Sequence, residues 1–196
     1  MDQDHQVLLS GLIGSVVGGI LSCAGSWFAV MTTARSASKQ EIRRNKQNIH
    51  NVLQAIHDEL DAIYTAYMDT VGNTIDSDPK RTTLNSIFVV GSDYFTMYKA
   101  NAAQIGKIDD DHLRGLIIRT YSAAMSLIDR YNFNNDLYQR SQNMRYNGPN
   151  TFDMESISAS GMMPSAFKSI KEKHDEVKTL YDELMHELHE RGIKKD

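Results

Sequence analysis

"IRRNKQNIHNVLQAIHDELDAIYTAY", residues 42–67, decides the fold class. Ile42, Ile49, Ile56 and Ile63 recur every seven residues, and Leu53, Leu60 and Tyr67 follow three of them by four. At 3.6 residues per turn these positions form one stripe along a helix. Ile at the first position and mostly Leu at the second favour a parallel two-stranded coil. The seam Ile42, Ile49, Leu53, Ile56, Leu60 and Ile63 equally suits one core-facing helix of an intramolecular bundle. Val52, Tyr64 and Met68 broaden it in the way bundle helices do. Gly72 and "DSDP" at 76–79 end the helix.

Downstream, the chain continues as helices. "TLNSIFVV", 83–90, reads as an extended linker or a short helix. Ser92 is placed to cap a helix beginning "DYFTMYKANAAQ" and ending near Ile105–Gly106. "DDDHL" at 109–113 then opens a long helix, its acids suiting the exposed N–H groups of a first turn. Leu113, Leu116, Ile117, Thr120, Tyr121, Ala124, Leu127, Ile128 and Tyr131 share its apolar face. "NGP" at 147–149 stops it, and residues 148–163, rich in Gly, Ser and Met, read as a loop. Pro164 then suits the first turn of a last helix, with Phe167, Ile170, Val177, Leu180, Leu184 and Leu188 as its stripe and Gly192 at its end.

Upstream, no Lys, Arg, Asp or Glu occurs between Asp4 and Arg35. A helix over Val7–Met31 is long enough to cross a hydrocarbon core of roughly 30 Å. The preceding "MDQDHQ" is acidic, and the apolar run is too long for a cleaved signal peptide, so an uncleaved anchor is expected. Arg35, Lys39, Arg43, Arg44 and Lys46 follow it, opposed only by Glu41. The positive-inside rule then puts the N-terminus outside and residues 35–196 in the cytoplasm, with the basic collar against anionic headgroups. A single cysteine allows no intrachain disulfide. Beyond residue 46 the chain has 16 basic and 22 acidic residues, which argues against direct nucleic-acid binding.

The span is not uniformly bulky. Ser10, Gly14, Gly18, Ser22 and Ser26 are spaced by four, and Gly11, Ser15, Gly19 and Cys23 form the adjacent row. Leu8, Leu12, Val16, Ile20 and Phe28 lie elsewhere. Small faces of this kind let membrane helices approach closely, and serine hydroxyls can bond across the interface. Self-association is therefore expected, through Ser10, Gly11, Gly14, Ser15, Gly18, Gly19, Ser22 and Ser26. No charged residue lies inside, so a selective ion pathway is not indicated.

Catalytic patterns are missing from the sequence. "HELHE", 186–190, spaces its histidines by three, whereas zinc proteases need H-E-x-x-H. Asp109, Asp110, Asp111 and His112 are consecutive and would fan around a helix rather than converge on a metal. There is no phosphate-binding glycine loop and no G-x-S-x-G. The expectation is no catalytic residue, no metal, no cofactor and no enzymatic activity.

"DYFTMYKANAAQIGKIDDDHLRGLIIRTYSAAMSLIDRYNFNNDL", residues 93–137, carries Tyr98, Asn101, Ile105, Gly106, Ile108, Leu113, Arg114, Ile117, Tyr121, Leu127, Ile128, Asp129, Tyr131, Asn134 and Asn135. In this pattern, over about a quarter of the chain, it resembles small bacterial membrane proteins of phage-defence loci. The nearest kind is the transmembrane effector of a retron, encoded beside a reverse transcriptase and its RNA–DNA product. The resemblance implies an inner-membrane effector of abortive infection, silent until infection is sensed and then damaging to the membrane. It also implies a regulatory protein or a reverse transcriptase–RNA–DNA complex as partner. One departure is that such effectors carry two spans, and one is found here. A non-toxic, membrane-anchored coiled-coil scaffold or sensor is the alternative.

The expected architecture is all-α. An extracytoplasmic tail (1–6) precedes a transmembrane helix (7–31), then the basic collar and long amphipathic helix (32–75). Central helices (76–147), a loop (148–163) and a C-terminal helix (164–192) complete it.

Overall fold

The structure, a computed structural model, describes residues 37–88, 94–146 and 154–193. Among these residues the chain is all-helical, with no strand. Helix α1 covers 37–67 and passes through a π turn, Met68–Gly72, into α2, Asn73–Ser77. Then come α3 (Thr96–Ile105), α4 (Asp111–Tyr146) and α5 (Met154–Glu190). No helix among the described residues is long and apolar enough to cross a membrane. The span 7–31, its small-residue face Ser10 to Ser26, Arg35 and the expected Ser92 cap lie outside the described residues.

Residues 37–48 belong to a unit separate from the rest of the described chain. Lys39, Arg43, Arg44 and Lys46 are exposed there, as is Ile42, at 56%. The remainder, from Ile49, is the second unit.

Within that second unit, side-chain pairings set the helix directions. His57, Asp61 and Tyr67 of α1 meet His189, Tyr181 and His174 of α5, so these helices run antiparallel. Glu59 and Tyr67 meet Tyr121 and Tyr131 of α4, so α1 and α4 run parallel. Asp110, Thr120 and Arg130 meet Arg191, Leu180 and Ser169, which sets α4 antiparallel to α5. Two parallel neighbours need a return connection. Residues 78–88 and 94–95 and α3 supply its described part.

The seam of α1 packs into this one core. Leu53, Ile56 and Leu60 are buried, and Ile49 and Ile63 pack partly buried against them. Ile42 is the exception to the expected seam. It lies in the first unit, on the exposed 37–48 stretch. The expected faces of α4 and α5 are buried as well, from Leu113 to Tyr131 and from Phe167 to Leu188, with Ala124 and Ile128 partly so.

Two boundaries differ from the sequence reading. Residues 154–163 are helical rather than loop, and Pro164 lies inside α5 rather than in its first turn. Proline lacks an N–H and disfavours a helix interior. Here Ala159, Met163 and Ala166 are buried with Leu137 of α4 in a separate small cluster, and that packing outweighs local composition. Likewise α3 begins at Thr96, later than the sequence suggested.

The last helix ends as its glycine implied. Gly192 has φ +78°, its N–H donates to His189 O at 2.9 Å, and Ile193 N–H donates to Leu188 O at 3.0 Å. This paired pattern is a Schellman cap, and Ile193 is buried.

Candidate functional site: a tyrosine-lined cavity

The bundle does not close over its middle. A cavity of about 280 Å³ lies between α1, the π turn, α4, α5 and the connection before α3. Its walls are mostly apolar, including Leu60, Ile63, Val71, Phe88, Leu127 and Val177. Tyr67 and Tyr131 also line it and carry its connection to a polar network.

That network crosses the bundle. Tyr67 Oη lies 3.3 Å from Tyr131 Oη and 2.6 Å from His174 Nδ1. His174 Nε2 lies 3.0 Å from Asp76 Oδ1, and Lys178 Nζ donates to Asp76 Oδ2 at 2.7 Å. His174 is 1% exposed, so its two ring nitrogens depend on these partners for hydrogen bonding.

The π turn makes the Asp76 contact reachable. In a regular α-helix residues 67 and 76 are nine steps of about 100° apart and face opposite ways. A π bulge adds about one residue to a turn and rotates the residues beyond it by about 100°. Asp76 thereby comes round to the same imidazole that Tyr67 touches.

Electrostatics reflect the packing. Burial pushes the Tyr67 hydroxyl well above the ordinary phenol range, helped by the neighbouring Tyr131. Burial does the same to Tyr131. Asp76 is held below the usual carboxylate range by hydrogen bonds from Lys178 and then His174. These phenols stay neutral and the carboxyl stays ionised, which suits hydrogen bonding better than nucleophilic attack by a phenolate.

A second set of contacts holds the connection beside the cavity. Asn134 Nδ2 donates to Leu84 O at 3.2 Å, and Asn135 binds both backbone groups of Phe88. Phe88 in turn sets its ring edge-on to Tyr131, centroids 6.0 Å apart. At the other end, Glu59 accepts from Met97 N–H at 2.7 Å, Tyr98 N–H at 3.2 Å and Tyr121 O–H at 2.9 Å. Tyr98 stacks on Tyr121 at 4.1 Å. Of the motif tyrosines and asparagines of residues 93–137, Tyr131 lines the cavity, Asn134 and Asn135 hold the connection beside it, and Tyr98 and Tyr121 pack at the Glu59 end.

Among the sequence candidates, "HELHE" does not gather a metal site. His189 Nε2 faces His57 Nε2 at 3.3 Å, and no group of three potential ligands occurs among the described residues. Sequence reading passed over His174, Asp76 and Glu59. A signal for His174 existed, since it lies four after Ile170 and three before Val177, on the apolar stripe of α5. Asp76 and Glu59 gave none, because their partners are remote in sequence.

Comparison with protein-family models, with curated proteins and with solved structures found no match.

Proposed function

We propose that the chain is a non-enzymatic effector in the bacterial inner membrane, acting in an antiviral, abortive-infection system of retron type. The observation that carries this reading is the charge-free, small-residue stretch 7–31 followed by the basic collar Arg35–Lys46. Self-association through Gly14, Gly18 and their neighbours compromises the bilayer, while the helical domain receives the trigger or the inhibitor. The partner is a regulatory protein or a reverse transcriptase–RNA–DNA complex, as the 93–137 resemblance implies.

The test is induction in cells carrying a membrane-potential dye. Wild-type chain depolarises them. Gly14→Leu with Gly18→Leu inserts equally well, by membrane fractionation, but leaves the potential intact. Depolarisation by that double variant overturns the packing-face reading.

A membrane-anchored scaffold is favoured by one specific observation. Ile42 stands at a heptad position yet is 56% exposed, which leaves an apolar seam residue open to a partner helix. Ile42→Asp leaves the core untouched. If it disperses a crosslinked oligomer of a chain that never depolarises cells, the scaffold reading replaces the effector reading.

A further inference from the structure

We propose that the cavity between α1, α4 and α5 binds a small, neutral, apolar ring molecule that carries one hydrogen-bond donor, of the indole or alkylphenol class. The proposal stands independently of the membrane reading.

The size comes first. A dry apolar cavity of about 150 Å³ accepts benzene. At about 280 Å³ this one has room for roughly a fused bicycle. Apolar walls penalise a charged guest, because an ion would lose its hydration without a partner.

The donor requirement comes from the hydrogen-bond chain. An ionised Asp76 can only accept, so His174 Nε2 carries the ring proton. In the arrangement where Nδ1 accepts, Tyr67 donates its hydroxyl proton there at 2.6 Å, and the indole–indene comparison below tests that direction. Tyr67 oxygen is then left to accept from Tyr131 at 3.3 Å. Each hydroxyl has one proton, so Tyr131 has committed its own. Its oxygen retains accepting capacity, and no other described residue makes a hydrogen bond to it. A guest that donates completes the chain. A guest that only accepts would have to break it.

Tyr64, Tyr94 and Tyr181 also bring hydroxyls to the cavity, and the Tyr131→Phe comparison separates them from Tyr131 as the anchor. Tyr64 and Tyr181 stack on one another at 3.7 Å, and Tyr181 donates to Asp61 at 3.0 Å. Thr120 donates to Leu116 O at 2.9 Å.

The experiment uses the full chain in the medium that keeps it dispersed, aqueous buffer or lipid nanodiscs, with carbon-13 labelled Ile, Leu and Val methyls, and the same medium without protein as the partition control. Indole and indene are the probes, alike in shape and differing in the N–H. Indole is expected to shift the Leu60, Ile63, Val71 and Val177 methyls saturably, and to bind about ten-fold tighter than indene, the worth of one hydrogen bond. Tyr131→Phe removes that preference while indene binding persists. Ala124→Phe fills the cavity and abolishes both. If Ala124→Phe fails to fold, the Tyr131→Phe comparison decides alone. No saturable shift, equal affinities in the wild type, or a preference that survives Tyr131→Phe overturns the proposal.

Discussion

Asn135 treats the backbone of Phe88 as a strand neighbour would. Phe88 N–H donates to Asn135 Oδ1 at 3.1 Å, and Asn135 Nδ2 donates to Phe88 O at 2.7 Å. The pair pins the connection to α4 beside the Phe88–Tyr131 ring contact. Asn135→Leu leaves both backbone groups unmatched and is expected to cost about 1–3 kcal/mol in denaturant unfolding. Hydrogen exchange at the Phe88 amide should accelerate by more than the global loss explains. Asn135→Asp keeps the acceptor and loses the donor, so it should fall between. Unchanged exchange at Phe88 in Asn135→Leu would show that the pair contributes nothing to holding this segment.

Glu59 acts as an N-terminal cap borrowed from another helix. Phe95, the residue preceding α3, sits in the left-handed region at φ 69° and makes no side-chain cap. The Glu59 carboxylate instead meets the first N–H groups and the positive end of the dipole. Glu59→Gln keeps one acceptor without the charge and should cost about 1 kcal/mol, and Glu59→Ala about 2 kcal/mol or more. Circular dichroism with urea unfolding measures both. Equal stability of Glu59→Ala and wild type would contradict the capping role.

Asp76 gives stability a definite acid dependence. Its carboxyl lies below the usual range because Lys178 and His174 hydrogen-bond to its charged form. The unfolded chain protonates it near pH 4. Its stabilising contribution is therefore complete above that value and is lost as pH falls through the lower, folded value. The stability difference between wild type and Asp76→Asn should shrink as pH falls below 4. A difference that keeps growing below pH 4 would contradict the assignment.

The buried phenols act at the opposite end of the scale. Tyr67, Tyr121 and Tyr131 are all raised, chiefly by burial, with the Glu59 carboxylate adding to it at Tyr121. In the unfolded chain they ionise near pH 10. Their contribution is present below pH 10 and drains away above it, because the unfolded state releases protons that the folded state keeps. Absorbance at the phenolate band should rise in two stages. The phenolate signal of Tyr67, Tyr121, Tyr131 and Tyr181 should form the second, appearing only as helical signal is lost. A single titration near pH 10 with the helices intact would contradict this.

Periodicity made the helical class readable. The seven-residue spacing of Ile49, Ile56 and Ile63, and the faces of α4 and α5, depend only on local geometry and hydrophobicity. The Gly192 stop was readable for the same reason, since left-handed backbone at a helix end selects glycine. Whether the α1 seam would face a second chain or its own bundle was not readable, because both bury the same stripe. The fold buries Leu53, Ile56 and Leu60 internally and leaves Ile42 exposed.

Tertiary structure alone decided the rest. Helix over 154–163 and Pro164 inside α5 depend on burial of Ala159, Met163 and Ala166 beside Leu137. The cavity and its network join residues far apart in the chain, Asp76 to His174 and Tyr67 to Tyr131. Sequence spacing encodes which residues share a face of one helix. Which faces meet, and at what height, depends on packing three helices together. The charge-free stretch and its basic collar, in contrast, are properties of composition and order, and the sequence by itself states them in full.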